Sequence, residues 1–280
     1  MVALSAISPV FIRCCSYKIL NISRRKMEAE YTIAPAKPDE FAMIETIQYN
    51  LGWDPFKNSY QVIKELSPGG VFFGKLAGKI ISSIIAMKYS EQFGFIGVYW
   101  VKKEHRGNGR GYQIFVKAME YLSGCEILAL DAVDDQVKNY EKWGFQVACN
   151  SIKRMTRVVP AVDALRTTTV LSEGKASLER VIAFQEKILP ALTGRHLKSS
   201  FSIGIPFMSI DKTTNEVRGY CIATKCHSGY AIAPLIAETD EVAVDLIKEV
   251  FSHFTRHGKK DVRLLVFTQD EFFKVRTLMA

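Results

Sequence analysis

A chain of 280 residues with 48% hydrophobic and 24% charged side chains is long enough for one large or two modest domains, and its composition excludes a disordered or fibrous protein. Much of the net charge of +8 sits at the start, where Arg13, Lys18, Arg24, Arg25 and Lys26 have no Asp or Glu beside them; the remainder is near neutral, which argues against a nucleic-acid-binding surface. The apolar run at 80–87, interrupted by Ser82 and Ser83, is far too short to span a membrane.

In chain order, residues 1–26 are basic, serine-containing and free of acids, which reads either as a mitochondrial transit peptide or as a dispensable extension ahead of Met27. The cysteines at 14, 15, 125, 149, 221 and 226 form no Cys-x-x-Cys pair and lie mostly in apolar runs. They predict reduced thiols in an intracellular, cytoplasmic protein, or a mitochondrial one if the leader is a transit peptide. Residues 31–35 predict an edge strand. A helix follows from Asp39, with Phe41, Ile44 and Ile47 as its apolar stripe. After the turn Leu51-Gly52-Trp53-Asp54-Pro55, Tyr60, Val62, Ile63 and Leu66 mark a second helix, which Ser67-Pro68-Gly69-Gly70 stops. Strands are expected at 71–76, 79–89 and 93–102, a helix carrying Ile114, Phe115, Ala118, Met119 and Leu122, and a buried strand at 127–133.

Between the third of these strands and the helix lies Glu104-His105-Arg106-Gly107-Asn108-Gly109-Arg110-Gly111-Tyr112. Glycines let a backbone approach a ligand closely, and a helix that starts here aims N–H groups at whatever the loop holds. Lys102, Lys103, Arg106 and Arg110 add positive charge, so the guest predicted is a ligand with several phosphates. The loop has no Gly-Lys-Ser/Thr, so it is not a P-loop. Asp131 stands at about the distance of a dinucleotide-binding acid, but it ends an apolar run without ribose-like context. His253 and His257 lack the glutamate of a zinc-protease helix and predict no metal site.

The second element is Asn139-Tyr140-Glu141-Lys142-Trp143-Gly144-Phe145. Arg-x-x-Gly-x-Gly followed at this separation by Tyr-Glu-Lys-Trp-Gly-Phe resembles the GNAT superfamily of acyl-CoA-dependent N-acetyltransferases. The resemblance implies a mixed-sheet α/β fold of the α+β kind, in which two central parallel strands, here 95–101 and 127–133, splay apart to admit acetyl-CoA. It implies that Gly107, Asn108, Gly109, Arg110, Gly111 and Tyr112 hold the coenzyme A pyrophosphate, that Arg106 shapes the loop, and that Val101 offers backbone groups to the pantetheine arm. Tyr140 matches the tyrosine that protonates the departing thiolate as general acid. A tyrosine on a short helix beside Trp143 and Phe145 also fits a core position with a tethered hydroxyl. Where the family often carries asparagine before that tyrosine, this chain has Val133, followed by Asp134 and Asp135.

The same resemblance places Trp53, Asp54 and Phe56 on the acceptor side and makes Glu91, Asp131 and Asp54 the available acids near the substrate mouth. Trp53, Asp54 and Asp131 are the substrate-binding candidates, for a small-molecule amine or a peptide amine. No cysteine stands where an acyl carrier is expected, so the reaction implied is direct attack of a primary amine in a ternary complex. The alternative is a non-catalytic acyl-CoA-binding or regulatory protein that keeps the fold.

The pattern restarts near residue 167, with a helix at 177–189, strands at 201–206, 218–225 and 229–233, a long helix at 240–257 and a strand at 262–267. The turn before the long helix, Ala237-Glu238-Thr239-Asp240-Glu241, is acidic and lacks the glycine motif. This resembles a GNAT subgroup in which a catalytic domain, here 27–160, precedes a degenerate GNAT-like domain, here 161–280. The second domain looks C-terminally incomplete, with a sheet edge expected to be left exposed after 267.

Overall fold

The computed structural model describes residues 2–4, 30–147, 152–158, 175–258 and 263–269, and these fall into two compact units. Apart from residues 2–4, the basic leader lies outside the described residues, and so do residues 270–280, on which the expected shortened ending rests. One unit contains residues 30–47 and 63–147; the other contains 2–4, 48–62 and the described residues from 152 onward.

The strand β1 (Val2–Leu4) belongs to the second unit, so the first begins with β2 (Tyr31–Pro35). Two short helices, α1 (Met43–Asn50) and α2 (Ser59–Leu66), precede β3 (Val71–Leu76). The helix expected from Asp39 starts later, because Glu40 accepts the Lys37 N–H and pairs with Lys75, holding 38–42 as turns. With β4 (Lys79–Lys88) and β5 (Phe93–Val101), β2 and β3 form an antiparallel run. A parallel neighbour needs a crossover. The crossover is α3 (Arg110–Tyr121), which delivers β6 (Ile127–Leu130) alongside β5. The helix buries Ile114, Phe115, Ala118 and the following Leu122 against Phe72, Ile84, Ala86 and Ile96 of the sheet, as their three- and four-residue spacing dictates. After β6, the short helix α4 (Val137–Glu141) adds Tyr140 to this core, and the turn after it adds Trp143 and Phe145.

The pairing of β5 and β6 is short. It runs from Phe93↔Ile127 to Ile96↔Leu130 and stops, although β5 continues to Val101. The strand expected at 127–133 ends at Leu130, and Val133 is exposed beyond it. Just past the last pair, β5 carries an extra residue: Ile85 faces Gly97, while Ser83 faces Trp100. Val98 sits in this bulge at φ 47, a conformation that a β-branched residue rarely adopts, and Ser83 Oγ donates to its carbonyl at 3.0 Å.

The second unit repeats the theme. Its strands are β7 (Ile152–Val158), β8 (Gly204–Ile210), β9 (Val217–Lys225), β10 (Tyr230–Ala237) and β11 (Arg263–Gln269), in the order β7-β11-β10-β9-β8 with β1 beside β10. Its helices are α5 (Lys175–Ile188), α6 (Arg195–Ile203) and α7 (Asp240–Arg256), the last packing Leu246, Ile247, Val250 and Phe254 into a core with Phe207, Cys221 and Ile232. Two expectations change here. The strand expected at 201–206 is the end of α6 followed by β8, because Leu197 and Phe201 lie one helical turn apart and join the same core. The sheet edge after 267 is not left open, since β7 pairs antiparallel with β11 from Arg263↔Val158 to Gln269↔Ile152. β7 lies within the 27–160 that the sequence reading assigns to the first domain, and it completes the second sheet.

Leu122 is wholly buried and lies so close to β5 that a Cβ on Gly94 would fall 3.0 Å from its Cδ2. Leu122→Ala should therefore destabilise the first unit by about 2–5 kcal/mol, measured by chemical denaturation.

Candidate active site

The loop at the end of β5 is built largely from backbone. Gly107 and Gly109 have φ 83 and 71, values that a side chain would strain, and a Cβ on either would meet no atom of the chain within 4 Å. Gly109 is the N-cap of α3 and supplies no side-chain hydrogen bond. By helix geometry the N–H groups of Gly111 and Tyr112 have no carbonyl of their own helix to bond, so they remain available to an anion over the loop. A short turn at Lys103–His105 leads into it, and Asn108 is exposed at its tip.

The cations around this cradle are mostly engaged with the protein. Arg106 Nε donates to the Val101 carbonyl at 2.8 Å, tying the loop to the end of β5. Arg110 is buried; its Nη1 lies 3.4 Å from His105 Nδ1 and its guanidinium 5.8 Å above the Tyr31 ring. Lys102 pairs with Glu104 at 2.7 Å. Val101, expected to offer backbone groups to a pantetheine arm, has its carbonyl bonded to Arg106, while its Cγ2 lies beneath Gly111.

An aromatic cluster adjoins the first turn of α3. Tyr112 stacks on Trp143 with centroids 5.0 Å apart, and Phe115 packs on Trp143 at 4.5 Å. Tyr140 meets Tyr99 edge-on at 6.4 Å and contacts Phe115 and Phe145 at 6.0 and 6.2 Å. Burial, with a smaller contribution from Tyr99, pushes the Tyr140 phenol up to about 12, so it keeps its proton at neutral pH. Tyr99 follows the bulged Val98, and its hydroxyl would stand 2.5 Å from a Cβ on Gly111. Sequence reasoning missed Tyr99; its signal was an aromatic residue in the strand immediately before the loop.

The acids separate by position. Asp131 follows β6 directly, where β5 and β6 part. Its surface is solvent-accessible, yet enough protein surrounds the carboxyl for desolvation to push it up to about 7. Glu91 pairs with Lys88 at 2.6 Å in the β4–β5 hairpin, at the opposite end of β5 from the loop. Trp53 and Asp54 belong to the other unit. Asp54 Oδ1 accepts the N–H groups of His227 (2.9 Å) and Ser228 (3.1 Å), and the Ser228 hydroxyl bonds to Oδ2, so the carboxylate closes the turn between β9 and β10. Trp53 is exposed beside it in sequence, and Phe56 packs on Cys226 and Ala231. The structure thus brings Arg106–Tyr112, Tyr99, Tyr140 and Asp131 into one unit and gives Asp54 a turn-closing part in the other.

In the second unit the corresponding helix start is already satisfied. Thr239 caps α7 by accepting the Val242 N–H at 3.3 Å, Asp240 and Glu241 occupy its first turn, and Glu238 pairs with Arg218 at 3.3 Å. Among the described residues no three His, Cys, Asp or Glu side chains are grouped to hold a metal ion, and no helix is long and apolar enough to cross a membrane.

Residues 36–145 match the model of the acetyltransferase (GNAT) family, and residues 190–274 match that of an acetyltransferase (GNAT) domain. The chain belongs to the GNAT superfamily. It is similar to holothin acyltransferase of Pseudoalteromonas sp. (strain SANK 73390), 23% identical over 231 residues that cover 81% of this chain and 74% of that protein. Among solved structures, a proposed acetyltransferase from Pyrococcus horikoshii aligns with a TM-score of 0.68 at 16% identity, covering 93% of this chain and 86% of that one. A GCN5-related N-acetyltransferase from Sphaerobacter thermophilus aligns at 0.61 and 13% identity, over 89% and 91% of the two chains. These likenesses show a two-domain GNAT acyltransferase, a fold that implies acyl-CoA binding.

The raised Asp131 carboxyl has a thermodynamic consequence. Between the ordinary carboxylate value of about 4 and the folded value of about 7, the folded state keeps a proton that the unfolded chain has released, so this group's contribution to stability falls as pH rises through that window. Asp131→Asn should match the wild-type melting temperature near pH 4 and exceed it at pH 8, which thermal melts across that range will read directly.

Proposed function

We propose that this chain transfers an acetyl group from acetyl-CoA to a primary amine, by direct attack within a ternary complex. One observation carries the reading: an uncapped helix start behind two positive-φ glycines lies in the same unit as a protonated phenol and a carboxyl beside the point where β5 and β6 part. The glycine loop Arg106–Tyr112 would hold the pyrophosphate through backbone N–H groups, and the thioester supplies the activated acyl group. The capped, acidic start of α7 supports a single cofactor site per chain, in the first unit.

The residues divide the proton traffic. The incoming amine must lose a proton to attack, and Asp131, half-ionised near pH 7, is suited to take it. Tyr140, as general acid, shares its proton with the leaving sulfur as negative charge develops there. A phenol at about 12 is a weaker acid than an ordinary thiol near 8.5, so its help is chiefly a hydrogen bond to the developing thiolate. Cys125 does not suit an acyl carrier, since burial pushes its thiol up and its Sγ–H points at the Ser90 carbonyl. The acceptor is a small-molecule or peptide amine.

Incubation with acetyl-CoA and a panel of amines, with release of free thiol followed, tests the reading; thiol release that requires an amine is the expected result, and binding without turnover would favour a regulatory protein. Gly109→Val should abolish coenzyme A binding in calorimetry while the fold survives, because it places a side chain where backbone and phosphate must meet. Tyr140→Phe should keep that binding and lower kcat by about 10²-fold, the low end for general acid catalysis.

A further inference from the structure

The cofactor loop is open to solvent above and supported from below by a side chain on the opposite edge of the sheet. Tyr31, the first residue of β2, leans across Gly74 of β3, where a Cβ would fall 2.1 Å from its hydroxyl and 2.6 Å from its Cε2. Only a glycine leaves that path clear. The hydroxyl reaches Ser82 Oγ at 2.7 Å and the Arg110 carbonyl at 3.4 Å. Either hydroxyl can donate in the pair with the wholly buried Ser82; with Ser82 as donor, the phenol's single proton is free for the Arg110 carbonyl, which only accepts. Ser82 stands opposite Val101 in the β4–β5 ladder, and Val101 in turn accepts from Arg106. The Arg110 guanidinium lies over the face of the same tyrosine ring. Both ends of the Arg-x-x-Gly-x-Gly loop are therefore linked to Tyr31: Arg110 by hydrogen bond and ring, and Arg106 through Val101 and Ser82.

We propose that Tyr31 is a positioning residue for the cofactor, holding the first turn of α3 at the height and angle at which its N–H groups meet the pyrophosphate. The inference rests on the acetyl-CoA reading of the loop. Tyr31→Phe keeps the ring beneath the guanidinium and removes both hydroxyl bonds; Ser82→Ala keeps the Arg110 bond and removes only the bond to the serine.

The test is calorimetric titration of coenzyme A into wild type and both variants, together with steady-state kinetics and melting temperatures. Tyr31→Phe should weaken coenzyme A binding and raise the acetyl-CoA KM about fivefold to tenfold, the weight of one or two ordinary hydrogen bonds, with kcat and the amine KM within about twofold of wild type. Ser82→Ala should fall between. Equal affinity in wild type and Tyr31→Phe overturns the role of Tyr31 and leaves the cofactor site standing. A lowered melting temperature with kcat and both KM values moving together also overturns it, as the mark of a merely structural residue. Failure of wild type to bind coenzyme A overturns the cofactor reading and this inference together.

Discussion

The early parting of β5 and β6 is the constraint on which the rest of the site depends. Parallel strands that stayed paired would bury their backbone groups in a ladder and leave nothing for a ligand. Here the ladder stops at Ile96 and Leu130, and the extra residue of β5 at Val98 follows directly after the last pair. Holding a β-branched residue at φ 47 costs free energy. It is held by Ser83 and by a core in which Phe115, Leu122 and Leu128 keep α3 and β6 in place. Tyr99, the residue after the bulge, lies with its hydroxyl against Gly111 in the first turn of α3, so the stretch of β5 that leaves the ladder also sets an aromatic wall beside the loop.

The electrostatics of the loop differ from what its cations suggest. Arg106 and Arg110 are spent on Val101, His105 and Tyr31, and Lys102 on Glu104. They act as braces that hold a row of backbone donors, and in the proposed reading it is those donors that meet the anion. Backbone N–H groups fixed in this way need no reorganisation when a phosphate arrives, whereas long side chains would lose rotamer freedom. The second unit shows the alternative: its strand-helix-strand passage has similar geometry, but Thr239, Asp240 and Glu241 satisfy the start of α7 internally.

Much of the candidate site was legible because its signals are local. Glycines at 107, 109 and 111, arginine at 106 and the aromatic run around Tyr140 are properties of adjacent residues, and the structure places them at one helix start and on α4 with the turn that follows it. Expectations that depended on which strand pairs with which fared less well. The strand ending at Val158 completes the second sheet, so the edge expected to be bare is covered. The helix at 195–203 was read partly as a strand, because a short apolar run fits either period until its core partners are known.

What the sequence by itself determined is most of the element order in the first unit, the glycine loop at the start of α3 and the family resemblance, since these depend on spacing, backbone freedom and residue type within short windows. Only the tertiary structure decided how the acids divide. Asp54, Glu91 and Asp131 are chemically alike in a sequence, yet one closes a turn on Ser228, one pairs with Lys88, and one stands at the end of β6 with a raised carboxyl. Tyr31 likewise reads as an ordinary edge-strand residue until the sheet brings Gly74, Ser82 and Arg110 around its ring. The physical reason is the same in each case: hydrogen-bond partners and desolvation are set by residues distant in the chain, and no local pattern encodes them.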